Sequence, residues 1–198
     1  MIAILDSGVA NLTSVQAALD RLGATSVITD DPKVLQRANR VILPGVGAAE
    51  AAMASLRKKG LVEAIRALTC PVLGICLGMQ LLFNRSEEGA ECLGLIEGDV
   101  QQLRVPSDLP LPHMGWNQLE ILDATHPLLN GIKTGDFVYY VHSFAASVAA
   151  TTIAQTTYGT AFTAIVAKGN FMGCQFHPER SGETGSRILK NFIELETA

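Results

Sequence analysis

Pro71-Val72-Leu73-Gly74-Ile75-Cys76-Leu77-Gly78-Met79-Gln80-Leu81-Leu82-Phe83 is the stretch that decides the fold. Pro71–Ile75 reads as a short buried strand, and Leu77–Phe83 as a helix that follows with no loop between. Gly74-Ile75-Cys76-Leu77-Gly78 at that junction has the form of a nucleophile elbow with Cys for Ser. The flanking glycines keep side chains out of a turn too tight to hold them. Cys76 at the start of a helix also faces unpaired N–H groups and the positive end of the helix dipole, which favour an anionic sulfur. The bland alternative is a buried packing cysteine, a common fate for that residue; the paired glycines tip the balance.

Upstream, strand and helix alternate. Ile2–Leu5 reads as a strand. Leu12, Val15, Leu19 and Leu22 recur at helical spacing, with Gly23 at C′. Ser26–Thr29 is a second strand, and Asp31-Pro32 an N-cap and N1 pair opening a short helix to Ala38. Arg40–Leu43 is a third strand, closed by Pro44-Gly45-Val46-Gly47, and an Ala-rich helix runs on towards Gly60. This rhythm predicts an open, mostly parallel twisted sheet with helices on both faces, whose chemistry gathers at the carboxyl ends of the strands. Downstream the pattern turns more antiparallel. Strands are expected at Trp116–Leu122, Phe137–Phe144, Thr151–Thr156, Ala161–Ala167 and Phe171–Phe176, with a hairpin at Lys168-Gly169-Asn170 and a closing helix through Ile188, Leu189, Phe192 and Ile193.

The chain has 198 residues, and the reading is one α/β domain over 1–198. With 15 Lys and Arg against 19 Asp and Glu the net charge is −4, and no basic stripe offers a nucleic-acid footprint. Ala67 to Asn84 is uncharged, but Pro71, Gly74, Gly78 and Gln80 interrupt it, so no membrane span is expected. Met1-Ile2-Ala3-Ile4-Leu5-Asp6 lacks the basic start of a signal peptide. Cys70, Cys76, Cys92 and Cys174 show no disulfide-like spacing, which points to the cytoplasm.

A thiolate nucleophile needs a base, and the base an orienting partner. His177 ends an apolar strand and precedes Pro178-Glu179; a strand ending beside Cys76 would present its ring to the same crevice, and Glu179 is expected to turn its carboxylate back onto it. His113 and His126 lie in Pro-rich turns, where surface roles fit best; His142, within an apolar strand, reads as a core residue. The backbone N–H of Leu77 is one expected oxyanion donor, and the loop Gly45-Val46-Gly47 offers the second. Cys76, His177 and Glu179 are also possible metal ligands, but no paired zinc spacing supports that, and neither a G-x-G-x-x-G run nor a Walker loop is present. Neither metal nor cofactor is expected. On the residues alone, a γ-glutamyl hydrolase or cysteine peptidase, an oxidant-sensing or glyoxalase-like elbow protein and a catalytically silent binding subunit stay open.

Gly74-Ile75-Cys76-Leu77-Gly78-Met79-Gln80 and Gln175-Phe176-His177-Pro178-Glu179 resemble the two signatures of class I, triad-type glutamine amidotransferases. Pro44-Gly45-Val46-Gly47, Pro112-His113-Met114-Gly115-Trp116-Asn117 and Tyr139-Tyr140-Val141-His142-Ser143-Phe144 narrow the likeness to the glutaminase subunits of imidazole glycerol phosphate synthase, in histidine biosynthesis. The resemblance covers nearly the whole chain. It implies Cys76 as nucleophile, His177 as base and Glu179 as its orienter. It further implies that Gln80 contacts bound L-glutamine, that the backbone from Val141 through His142 and Ser143 to Phe144 holds its α-carboxylate and amine, and that a separate (β/α)8-barrel cyclase completes a heterodimer and takes the ammonia. Weak glutaminase activity without that partner follows. Asn11, Trp116 and Arg180 are candidates for the partner face. Position 180 is Arg where relatives commonly have Lys, and the loop Asp6–Asn11 matches only loosely.

Overall fold

A computed structural model describes residues 1–8 and 10–195; Val9, in the loosely matching loop, lies outside them. The first half comprises β1 (Ile2–Leu5), α1 (Leu12–Arg21), β2 (Ser26–Thr29), α2 (Pro32–Arg37), β3 (Arg40–Gly45), α3 (Ala49–Lys58), α4 (Leu61–Arg66), β4 (Val72–Cys76) and α5 (Leu77–Gln80). The second half adds β5 (Arg85–Ser86), β6 (Ala90–Glu91), β7 (Asp99–Gln102), β8 (His113–Gln118), β9 (Glu120–Ile121), β10 (Phe137–His142), β11 (Phe144–Ala146), β12 (Thr152–Tyr158), β13 (Thr160–Lys168), β14 (Phe171–Cys174) and α6 (Gly182–Glu194).

The main sheet has eight strands in the order β2-β1-β3-β4-β14-β13-β12-β9. The first five run parallel and the last three antiparallel, as the two halves of the sequence imply. Alternation along β1 sends Ile2 and Ile4 to one face and Ala3 and Leu5 to the other, each into its own apolar core. On the first face α1 and α6 supply Val15, Leu19, Ile188, Leu189 and Phe192; on the second, α2 to α4 supply Leu35, Met53, Leu56, Leu61 and Ile65. Asp31 caps α2 by accepting from the N–H of Lys33 at 2.8 Å, with Pro32 next, and Gly23 follows α1 at φ 72°.

Several expected elements divide. The Ala-rich helix stops at Lys58, because Gly60 turns the chain at φ 66° and α4 starts anew. The helix expected over Leu77–Phe83 ends at Gln80; the carbonyls of Leu81 and Leu82 are taken instead by the N–H groups of Leu93, Leu95 and Ile96. The expected strand Trp116–Leu122 becomes β8 and β9, in different sheets, and Phe137–Phe144 becomes β10 and β11, parted at Ser143, whose carbonyl accepts from the N–H of Leu103. β8 pairs with β10, and β5, β6, β7 and β11 form a further small sheet. Both small sheets, and the strands between residues 85 and 102, depart from the single sheet that the sequence pattern predicts.

Candidate active site

Cys76 closes β4 and opens α5. Among the described residues it is the one non-glycine with a positive φ, at φ 54° and ψ −114°. A side chain held there costs on the order of 1–3 kcal/mol, and tight surroundings hold it. A Cβ on Gly74 would sit 2.6 Å from the Met79 nitrogen, and one on Gly78 only 1.7 Å from the Leu43 carbonyl oxygen. The helix therefore returns directly over β3 and β4, a path closed to any larger residue at either glycine. Gly173, opposite Gly74 on β14, likewise leaves room for Met79.

β14 lies beside β4, so the chain beyond its end arrives next to Cys76. There the N–H of His177 donates to the Tyr139 carbonyl at 3.0 Å, and the His177 carbonyl accepts from the Ser181 hydroxyl at 2.7 Å. Nδ1 of His177 lies 2.8 Å from Oε1 of Glu179, with the two side chains 8% and 3% exposed. Nε2 has no partner in hydrogen-bonding geometry among the described residues, nor has Oε2 of Glu179. Burial alone would lower the imidazole pKa, but interaction with Cys76 and then with Glu179 outweighs it and pushes the value up to about 10. The pair therefore favours the protonated ring over the neutral one.

Cys76, Leu77, Gln80 and His177 line a cavity of about 220 Å³. Val46 and Gly47 form its rim: Val46 is 40% exposed and Gly47 has φ 89° with open space around its Cα. His142, Ser143 and Phe144, with Val141, line it as well, and the Phe144 carbonyl accepts from the Gln80 amide at 2.8 Å. Gly45 stands back from the cavity, at the end of β3 against α5, where a Cβ would sit 2.9 Å from the Gly78 nitrogen. The candidate nucleophile, base and glutamine-binding residues thus converge on one site, with Glu179 behind the base. Among the described residues no group of three His, Cys, Asp or Glu side chains could hold a metal ion.

Two further residues stand at the site to which the sequence reading gives no role: Glu88, outside every motif, and Gln175, the first residue of the second signature. Glu88 lines the cavity and accepts from the N–H of Ala49 at 3.2 Å, tying the start of α3 to the rim. Gln175, fully buried, donates from Nε2 towards the Cys76 sulfur at 3.9 Å. His113 corrects an expectation: it is 3% exposed, stacked between Tyr140 and Tyr158 and bonded to His142, because β8 turns alternate side chains inward where a surface loop was expected. His142 belongs to the cavity wall as well as the core. His126 caps a short turn, accepting from the N–H of Leu128 at 3.2 Å.

Trp116 is 54% exposed and meets Tyr139 edge-on at 5.9 Å, while Arg180 sits over the same tyrosine ring at 5.0 Å. Met114 and Phe137, 66% and 51% exposed, extend this apolar face of the β8–β10 pair. Asn11 is exposed and caps α1, its side chain accepting from the N–H of Ser14 at 3.4 Å.

The family model described as glutamine amidotransferase class-I matches residues 3–195. Imidazole glycerol phosphate synthase subunit HisH of Yersinia pseudotuberculosis is 52% identical over 196 residues, covering 98% of this chain and 99% of the relative. The subunit of the same name from Idiomarina loihiensis is 53% identical over 195 residues, covering 98% and 97%. Among solved structures, one described as a glutamine amidotransferase superposes with a TM-score of 0.75 at 18% identity, over 98% of this chain and 97% of that one. A chain of PurLQS from Thermotoga maritima gives a TM-score of 0.71 at 21% identity, covering 97% and 96%. These two likenesses speak for the fold. The chain belongs to the class-I glutamine amidotransferase family.

Proposed function

We propose that residues 1–198 act as one glutamine amidotransferase domain, the glutaminase subunit of imidazole glycerol phosphate synthase. It hydrolyses L-glutamine to glutamate and ammonia and passes the ammonia to a (β/α)8-barrel cyclase that makes imidazole glycerol phosphate and AICAR in histidine biosynthesis. The observation that carries this reading is the buried His177–Glu179 pair at 2.8 Å, opening onto the cavity that holds Cys76. The identity of about half over nearly the full length of relatives named as that subunit supports the substrate and pathway.

The chemistry runs in two halves. The Cys76 thiolate attacks the side-chain amide carbon of glutamine, and the N–H of Leu77 and of the Val46–Gly47 rim hold the oxyanion. The His177 imidazolium gives its Nε2 proton to the departing nitrogen, which leaves as ammonia and a γ-glutamyl thioester on Cys76. The neutral ring then takes a proton from water, whose oxygen adds to the thioester carbon; collapse expels the thiolate and releases glutamate. Glu179 keeps the imidazole oriented and balances its charge throughout.

Substrate orientation follows from the cavity wall. Gln80 spends its amide nitrogen on Phe144 and Gln175, which leaves Oε1 for the α-ammonium of glutamine, and Glu88 adds a negative charge at the same cavity. The segment His142–Phe144 takes the α-carboxylate. The apolar face of Met114, Trp116 and Phe137, with Arg180 at its border, is the docking face for the cyclase. A cytoplasmic setting fits the four free cysteines among the described residues, where no helix is long and apolar enough to cross a membrane. The test is ammonia and glutamate release from free glutamine in the presence of the barrel partner. Preference for γ-glutamyl peptides would reassign the chain to a γ-glutamyl hydrolase.

A further inference from the structure

The carbonyl oxygen of Phe144 is an acceptor and nothing else, and it sets the direction of a chain of hydrogen bonds. The side-chain atom of Gln80 that meets it at 2.8 Å must be the amide nitrogen. The same nitrogen meets Gln175 at 3.0 Å, so Gln175 must turn Oε1 towards it. Nε2 of Gln175 is then left pointing at the sulfur of Cys76, 3.9 Å away. Each amide is fixed by the one before, and the last link ends on the reacting atom. Gln175 itself is fully buried, so water cannot replace it in either contact.

We propose that Gln175 is a catalytic residue whose N–H donates to the Cys76 thiolate, and that Phe144 and Gln80 lock that donor in place. The inference rests on Cys76 being the nucleophile. A hydrogen bond to a charged acceptor is stronger than one between neutral groups, so this donor favours the thiolate over the thiol. It also joins two events at one side chain. The Gln80 amide that reads the substrate and the sulfur that attacks it are both held by Gln175. The Sγ–H direction of the neutral thiol has a competing acceptor, the Val141 carbonyl at 3.9 Å. The amide donor therefore acts on the ionised form.

The titratable groups around the sulfur are His177 after β14, His142 on β10 and Glu88, all lining the same cavity, with Glu179 behind His177. Gln175→Met leaves all of them in place, preserves the shape of the side chain and removes its N–H. The full-length chain is treated with iodoacetamide across a pH series, modification of Cys76 is followed by mass spectrometry, and glutamine turnover is measured with the cyclase bound. The expected result is an alkylation profile moved to higher pH by about one unit, a kcat lowered about tenfold or more, and a smaller change in KM. Gln80→Met should move the profile the same way by less, because it frees the Gln175 amide without touching sulfur. If Gln175→Met does not fold, Gln175→Glu carries the test: its ionised carboxylate beside the sulfur should move the profile further. An unshifted profile in whichever variant folds overturns the inference. Glutamine turnover by a Cys76→Ala variant would instead remove the premise.

Discussion

Nδ1 of His113 donates to Nε2 of His142 across 3.1 Å, and both rings are neutral. The direction follows from His142, whose Nδ1 faces the Phe144 carbonyl at 2.9 Å and so carries the hydrogen. Asn117 then donates from Nδ2 to Nε2 of His113 at 3.3 Å. Burial lowers the imidazole pKa of His113 to about 4 and that of His142 to about 3.

Acid destabilisation should follow from this pair. Below about pH 6.5 the unfolded chain protonates both histidines while the folded chain keeps them neutral. The unfolded state then binds more protons, so stability falls as pH drops from about 6.5 towards 4. His113→Phe should lose roughly 1–3 kcal/mol at pH 7, because His142 is left unpaired, yet show a shallower decline on the acid side. Urea titrations at pH 7, 6, 5 and 4 read both effects; an unchanged acid slope contradicts the assignment.

The opposite sign holds for His177. Its folded pKa is raised to about 10 from 6.5, so in that window the folded state binds more protons and loses stability as pH rises. The stabilisation from the charged ring is complete below about pH 6.5. The difference in unfolding free energy between the native chain and His177→Gln should therefore change in the variant's favour from pH 7 to 10. A difference that stays flat across that range is inconsistent with an imidazolium at neutral pH.

Cys76→Ala should remove glutamine turnover by a factor of about 10⁴ or more while retaining the fold, since a Cβ already occupies this position. Cys76→Gly should be more stable than Cys76→Ala by about 1 kcal/mol, because glycine meets φ 54° without strain. Thermal melts compare the two; a less stable glycine variant argues against strain at the elbow.

Gly78→Ala should cost more than about 3 kcal/mol or prevent folding, because the added carbon would lie 1.7 Å from the Leu43 carbonyl oxygen. Gly47→Ala meets nothing within 4 Å and is disfavoured only by φ 89°, about 1 kcal/mol. Denaturation midpoints rank the two, and equal costs would contradict the packing account.

Trp116→Ala should weaken binding to the cyclase about tenfold or more and leave the stability of the chain nearly unchanged, since the ring is 54% exposed. Titration calorimetry with the barrel protein measures the change. Undiminished affinity would move the docking face elsewhere.

The parallel half of the sheet is legible in the sequence because its strands are short apolar runs with helices of clear period between them. The elbow is legible for a related reason: Gly74 and Gly78 mark a close approach that only absent side chains permit. The second half is less so. Alternation along Trp116–Leu122 and Phe137–Phe144 fixes which side chains share a face but not which strand lies beside them, so changes of sheet near Leu119 and at Ser143 leave no local trace. The two-residue strands β5 and β6 are too short for a pattern. His113 sits beside prolines that suggest a loop, and its burial depends on the rings of Tyr140 and Tyr158, 27 and 45 positions along. Glu88 and Gln175 act through partners far away in the chain, at Ala49 and at Gln80 and Cys76, and no spacing announces such pairs.

The insertion of β14 between β4 and β13 bears on how the protein is made. Until that strand has left the ribosome, β4 has an open edge, and the sulfur at its tip has neither an imidazole nor an amide beside it. With Cys76 and His177 in the proposed roles, a growing chain is expected to split no glutamine and shed no free ammonia while residues 171–179 are still inside the exit tunnel. On that proposal the late-arriving strand is a lock on premature chemistry, with closing of the sheet and arming of the sulfur one event.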